Sequence, residues 1–238
     1  MTGKLVEHLQ QFVTERRARQ FDIKLKSRTR YLTVVLEDIY QPHNASAVLR
    51  SCECFGIQDV HIIENRNPFR VSPDIALGSQ KWLTIQRYNT RPHNTRQALE
   101  SLKKKGYRIV AASPHRKDQL LGEFDLKTGK TALIFGSELE GLSHIAHGIA
   151  DEFIRVPMVG FTESLNISVS AAICIHFLAS VLRKSDLPWQ LSREEQLEVK
   201  LRWLKNSIKN SEMIERAFLE DERNREDQSV RNSRLPPG

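Results

Sequence analysis

The sequence predicts an α/β domain built on a parallel sheet, and two observations carry that expectation. Between Tyr31 and Val156, short β-rich runs alternate with helical ones, the order that places strands side by side with helices crossing between them. Most of the strand candidates are also apolar in continuous runs, not only at every second residue, as strands covered on both faces must be. At 238 residues with 39% hydrophobic content, the chain can bury one sizeable core and still carry appendages.

Taken in order, the first segment reads as an amphipathic helix with Leu5, Leu9, Phe12 and Val13 on one face. It continues into a basic stretch of Arg16, Arg17, Arg19, Lys24, Lys26, Arg28 and Arg30, with only Glu15 and Asp22 to neutralise it. Such a run is commonly a solvated face; with so few acids it is read here as a phosphate-contacting arm. Strands are then expected at 32–36, 60–63, 84–88, 108–112, 131–135 and 153–156, and helices at 44–55, 95–105, 143–149 and 166–182. Gly56 and Gly106 end the first two helices. A linker at 185–189 leads to a capping box of Ser192 with Glu195, followed by Leu197, Leu201, Leu204 and Ile208 at helical spacing. Ser211 starts a short last helix, and the charged tail from Glu220 is expected to be disordered. The segments are thus a basic helical arm (1–30), a central domain (31–184), a helical extension (185–219) and a tail (220–238).

Composition narrows the function. The net charge of +7 suggests a polyanionic partner. Residues 1–30 are charged throughout, unlike a signal peptide. The longest apolar run, 167–182, contains Ser168, Ser170 and His176 and falls short of the ~20 residues of a membrane span. The three cysteines, Cys52, Cys54 and Cys174, lack metal-ligand spacing, so reduced thiols, a cytoplasmic protein and no metal are expected.

In a parallel sheet, ligands sit beyond the carboxyl ends of the strands, which directs attention to the loops after Leu36, Ala112, Phe135 and Val156. In Gln41-Pro42-His43-Asn44, Asn44 suits a helix N-cap. Arg50, among Ala47, Val48, Leu49, Cys52 and Phe55, either leans back toward the strand ends or snorkels to solvent. The run Gly136-Ser137-Glu138-Leu139-Glu140-Gly141-Leu142-Ser143 suggests backbone pressed against a ligand, or simply a strand–turn–helix joint. It is neither a dinucleotide fingerprint nor a Walker loop, which argues against a dehydrogenase. The polar loop 160–166 lies between two apolar elements, as a loop held against a ligand would.

These motifs occur in a telling order: Asn44…Arg50…Phe55-Gly56, then Phe135-Gly136-Ser137-Glu138…Gly141-Leu142, then Val156-Pro157-Met158…Ser164-Leu165-Asn166-Ile167-Ser168-Val169-Ser170-Ala171-Ala172. Together they closely resemble the SpoU/TrmH family of RNA 2′-O-ribose methyltransferases, from about Leu32 to Arg183. Gly78-Ser79-Gln80-Lys81-Trp82 looks like a further family feature. The resemblance implies a Rossmann-like SPOUT domain with a deep C-terminal trefoil knot, flanked by N- and C-terminal helices, and a homodimer with shared active sites. It implies S-adenosyl-L-methionine as cofactor, held by Ser113, Gly136, Val156, Met158 and Leu165. The catalytic set would be Arg50 with Asn44, Glu138, Ser164 and Asn166, Asn44 helping to hold Arg50. Arginine is effectively always protonated, so stabilising a developing alkoxide is an easier role for it than accepting a proton.

The short basic helix in front, the helices behind, His43 and Leu36-Glu37-Asp38 resemble the branch that methylates the tRNA D-loop guanosine. Arg16, Arg17, Arg19, Lys26 and His43 would contact the RNA; no DNA or membrane partner is expected. Methylation of rRNA, and a catalytically silent RNA-binding protein of the same fold, are the alternatives.

Overall fold

A computed structural model describes residues 1–113 and 119–233. In chain order the first elements are α1 Thr2–Gln10, α2 Glu15–Leu25, β1 Leu32–Glu37, α3 Pro42–Cys54, β2 Asp59–Ile63, α4 Pro73–Ala76 and β3 Thr84–Tyr88. There follow α5 Thr95–Lys104, β4 Arg108–Ala112, β5 Gln119–Leu120, β6 Thr131–Phe135, α6 His144–Ile149, β7 Glu152–Arg155 and α7 Ile167–Arg183. The chain closes with α8 Arg193–Ser207 and α9 Ser211–Ser233. It divides into two compact units, residues 28–190 and residues 1–27 with the chain from Leu191 onward.

The larger unit is a seven-stranded sheet in the order β3-β2-β1-β6-β4-β7-β5. Every strand pair is parallel. The chain winds outward from β1 through β2 to β3, then crosses to the other side of β1, where the order is β6-β4-β7-β5; the change of side falls between β1 and β6, the position where ligands enter such sheets. Six of the strands were legible in the sequence; β5, two residues long, was not. Alternate side chains divide the core. Leu32, Val34, Leu36, Val110, Leu133 and Phe135 pack under α3 and α7 with Val48, Leu49, Cys174, Ile175 and Leu178. Val35, Ile109, Ala111, Ala132 and Ile134 pack under α5 and α6 with Ala98, Leu99, Leu102 and Ala146. Each large aliphatic buried there contributes about 1.5–3 kcal/mol.

Past the carboxyl ends of β1 to β3, a buried polar network fixes the loops. Glu37, 2% exposed, accepts from the Thr95 hydroxyl at 2.5 Å and from the Ser143 hydroxyl and amide at 2.7 and 2.9 Å. It therefore ties β1 to the first turns of α5 and α6. Asp38, in the left-handed region at φ 52, accepts from the backbone amides of Asn65 and Arg66 at 2.7 and 3.0 Å. His61, on β2, faces the Tyr88 hydroxyl at 3.1 Å; burial first, and Lys105 second, hold its imidazole down to about 4.

Two residues of the expected phosphate arm are structural instead. Arg28 is buried against Glu53 at 2.7 Å, and Arg30 pairs with Asp59 at 3.1 Å. Burial lowers the pKa of Arg28, and Glu53 opposes that shift.

In the smaller unit the expected single N-terminal helix is two, and Thr14 caps the second by accepting from the Arg17 amide at 3.2 Å. Leu5 and Leu9 are buried as expected, whereas Phe12 is 50% exposed because the first helix has already ended. The N-terminal helices and the C-terminal extension, read from sequence as separate segments, share one core of Leu5, Leu9, Phe21, Leu25, Val199, Trp203 and Leu204. The Phe21 and Trp203 rings lie 5.6 Å apart. The capping box forms as read, Ser192 accepting from the Glu195 amide at 3.2 Å and donating its own amide to the Glu195 carboxylate at 2.8 Å. The expected disorder from Glu220 is corrected: α9 runs on to Ser233, because Glu and Arg, frequent in this charged sequence, are good helix formers. Residues 234–238 of that tail lie outside the described residues.

Candidate active site

The site is assembled from three chain segments at the carboxyl edge of the larger unit: the start of α3, the loop after β6, and the loop between β7 and α7. Asn44 joins them. It was read as the cap of α3, but the helix begins two residues earlier, at Pro42, with Gln41 in the cap position. Proline is well suited to that first position, because its missing N–H would have no helical partner. Asn44 is thereby moved into the first turn, 7% exposed, and its amide turns toward the other two segments. Its Nδ2 donates to Glu138 Oε1 at 2.6 Å, and its Oδ1 accepts from Asn166 Nδ2 at 3.2 Å. Asn166 in turn caps α7, accepting from the Ser168 amide at 2.9 Å and its hydroxyl at 2.6 Å. The second carboxylate oxygen of Glu138 accepts from the Tyr40 amide at 3.3 Å.

Beside this chain of bonds lies a cavity of about 370 Å³. Its walls include all five expected cofactor residues, Ser113, Gly136, Val156, Met158 and Leu165, together with Glu138, Ser164 and Asn166. Aliphatic groups of Ala112, Leu142, Ile154 and Ile167 complete the apolar part. The reason for glycine at 136 differs from the one expected. A Cβ there would meet the backbone carbon and oxygen of Gly141 at 2.2 Å, so it is the loop itself that presses on Gly136. Ser137 and Gly141 exchange two backbone hydrogen bonds of 3.0 Å, and Gly141 sits at φ 70, a conformation glycine adopts without strain. Outside the tip of that loop, Glu140 is held by Arg66 through bonds of 2.7 and 2.8 Å.

Arg50 is not in the cavity wall. It is exposed on α3, and among the described residues it makes no hydrogen bond or ion pair. The expected contact from Asn44 is absent, since that amide is committed to Glu138 and Asn166; of the two readings of Arg50, solvent exposure is the one realised. His43 is exposed in the first turn of α3. Arg16, Arg17, Arg19 and Lys26 are exposed along and just beyond α2 in the smaller unit; Arg19 pairs with Glu15 one turn away at 3.1 Å. Sequence reasoning missed His147, Arg155 and Cys174 as cavity residues. For Arg155 a signal existed: it is the one charge within the apolar run 153–158. The Cys174 thiol, pushed up to about 12 by burial, is a protonated wall residue with no nucleophilic character.

Residues 31–176 match the SpoU rRNA Methylase family. The chain is 40% identical over 212 residues, 89% of its length and 95% of the relative's, to the tRNA (guanosine(18)-2′-O)-methyltransferase of Borreliella burgdorferi. It is 34% identical over 68% of its length to the enzyme of the same name from Thermus thermophilus, covering 81% of that protein. Among solved structures it resembles a TrmH/SpoU tRNA modifying enzyme of A. aeolicus, with a TM-score of 0.72, 28% identity and coverage of 82% of this chain and 98% of that one. The fold is shared with the SpoU methyltransferase AviRb from Streptomyces viridochromogenes in complex with AdoMet, with a TM-score of 0.57, 21% identity and coverage of 68% and 65%. The chain belongs to the SpoU methylase family and is a methyltransferase.

Proposed function

We propose that this protein methylates the ribose 2′-hydroxyl of guanosine 18 in tRNA, with S-adenosyl-L-methionine as methyl donor. The observation that carries the substrate is the 40% identity to a tRNA (guanosine(18)-2′-O)-methyltransferase across 95% of that relative. The cavity fits the donor: an apolar wall of Ala112, Leu142 and Ile154 suits a purine ring, and the Glu138 carboxylate suits a cationic sulfonium. When bound, the donor supplies an electrophilic methyl group. The protein's own residues have the harder task, making a ribose hydroxyl nucleophilic.

Glu138 is the cavity carboxylate able to take up the hydroxyl proton, since Glu140 is occupied by Arg66. Asn44 and Asn166 fix its position through one chain of hydrogen bonds anchored on the first turns of α3 and α7. Ser164, in the same wall, orients the ribose. Arg50, cationic and exposed, offers positive charge to an RNA phosphate and to the developing alkoxide. Arg16, Arg17, Arg19, Lys26 and His43 supply further phosphate contacts, so binding weakens steeply as salt rises.

The family resemblance adds three further parts. The loops at 136–143 and 157–166 belong to a trefoil knot. The protein acts as a homodimer, supported by the row of partly exposed apolar residues Val169, Ile173 and Val181 on α7, from 37% to 45% exposed. With tRNA as substrate, the reaction takes place in the cytoplasm. Ile173→Asp should shift the protein to monomer in sedimentation if that row is the interface. The main test is transfer of labelled methyl from S-adenosylmethionine to unmodified tRNA transcript and to an rRNA fragment, with wild type and Arg50→Ala. Label at the 2′-oxygen of guanosine 18, lost in the variant, is expected; label only in rRNA would sink the substrate assignment.

A further inference from the structure

Arg155 closes β7, and its side chain lies where two cavities meet. It lines the 370 Å³ cavity of the active site and a second one of about 440 Å³ formed by Val156, Met158, Gly160, Phe161, Thr162 and Glu163. Its Nε is shut off from solvent and has no hydrogen-bond partner among the described residues. Among the described residues no acid forms an ion pair with it. Glu138 is bonded to Asn44 and Glu140 to Arg66, and Glu163, in the second cavity, forms no ion pair with it among the described residues. Arg155 is the only lysine or arginine among the described residues lining the active-site cavity.

A guanidinium keeps its charge at any pH the fold survives, and a sealed donor without an acceptor costs stability. A position that holds such a group open, in the wall of a ligand cavity, is built for an oxyanion arriving with the ligand. A fork of N–H donors matches a carboxylate in particular, in the bidentate geometry that charge-assisted pairs favour.

We propose that Arg155 is the subsite for the carboxylate of the amino-acid end of S-adenosylmethionine, an assignment that rests on the cofactor reading above. The alternative oxyanion is an RNA phosphate. It is disfavoured because the cavity that Arg155 lines is the one walled by the residues expected around the cofactor, Ser113, Gly136, Val156, Met158 and Leu165. On this assignment, Arg155 and Glu138, both in the cavity wall, recognise opposite charges of the same molecule, and so set its direction.

The test is calorimetric binding to Arg155→Gln of two ligands that share the adenosine part. S-adenosylhomocysteine carries the carboxylate; 5′-methylthioadenosine does not. The expected result is ~10- to 100-fold weaker binding of S-adenosylhomocysteine, as for loss of a charge-assisted pair, with methylthioadenosine changed by less than about twofold. Arg155→Lys, which keeps the charge and loses the fork, should give a smaller loss for S-adenosylhomocysteine alone, and it serves if the glutamine variant does not fold. Equal losses for both ligands, or none for either, would overturn the assignment. Unchanged cofactor binding with a raised KM for tRNA would overturn it in favour of an RNA phosphate. Failure of the wild type to bind either ligand would instead remove the cofactor reading, and this assignment with it.

Discussion

The carboxyl edge of the sheet has two halves that treat polar groups in opposite ways. Beyond β1 to β3, polar side chains are buried and mutually satisfied: Glu37 takes three hydrogen bonds, and Asp38 gathers the amides of the 65–66 turn. Beyond β6 and β7, a cavity stands open, Arg155 Nε has no partner among the described residues, and Val159 and Phe161 are fully exposed. The first half spends its polar groups on the fold; the second leaves them available to a ligand. Asn44 lies on the boundary, buried like a structural residue yet bonded to the cavity carboxylate.

That contrast can be broken at defined points. The largest effect is expected at Asn44. Asn44→Ala cuts the links to both Glu138 and Asn166, and single-turnover methyl transfer should fall on the order of 100- to 1000-fold. The fold should lose only about 1–2 kcal/mol in a denaturant melt. A loss of activity no greater than the loss of folded protein would place Asn44 with the scaffold.

Next comes the acid limb of the stability curve. The native His61 imidazole is held down to about 4 against an ordinary 6.5. Above about 6.5 it is neutral in both states and costs nothing. Between 6.5 and 4 the unfolded chain takes up a proton that the folded one refuses, so stability falls with pH, by up to about 3 kcal/mol. His61→Phe should flatten that limb in urea melts from pH 7 to 4; an unchanged slope would remove His61 as its cause.

Glu37→Gln should follow, at about 2–3 kcal/mol, because an amide nitrogen must face donors from Ser143 or Thr95. The molecules that do fold should keep their turnover, which separates Glu37 from Glu138. The smallest effect is expected at Phe161, 108% exposed. Phe161→Ala should alter stability by less than about 0.5 kcal/mol. A larger shift in the melt would mean that the loop is part of the fold, and the contrast between the halves would weaken.

The sequence by itself determined the parallel sheet, since continuous apolar runs at 32–36, 108–112 and 131–135 have no other way to be covered on both faces. It also determined the family and the candidate residues, because three separate motifs had to coincide in order and spacing. It could not decide what each residue touches. Asn44 looked like a cap, and became a bridge only because Pro42 starts the helix earlier. Arg28 and Arg30 looked like parts of a basic arm, and are structural because tertiary packing brings Glu53 and Asp59 against them. Gly136 looked like a ligand contact, and its constraint is the backbone of Gly141 five residues on. Periodicity and propensity act within a few residues, so they fix elements. Partnership between polar groups far apart in the chain depends on how those elements pack, and only the tertiary structure sets that.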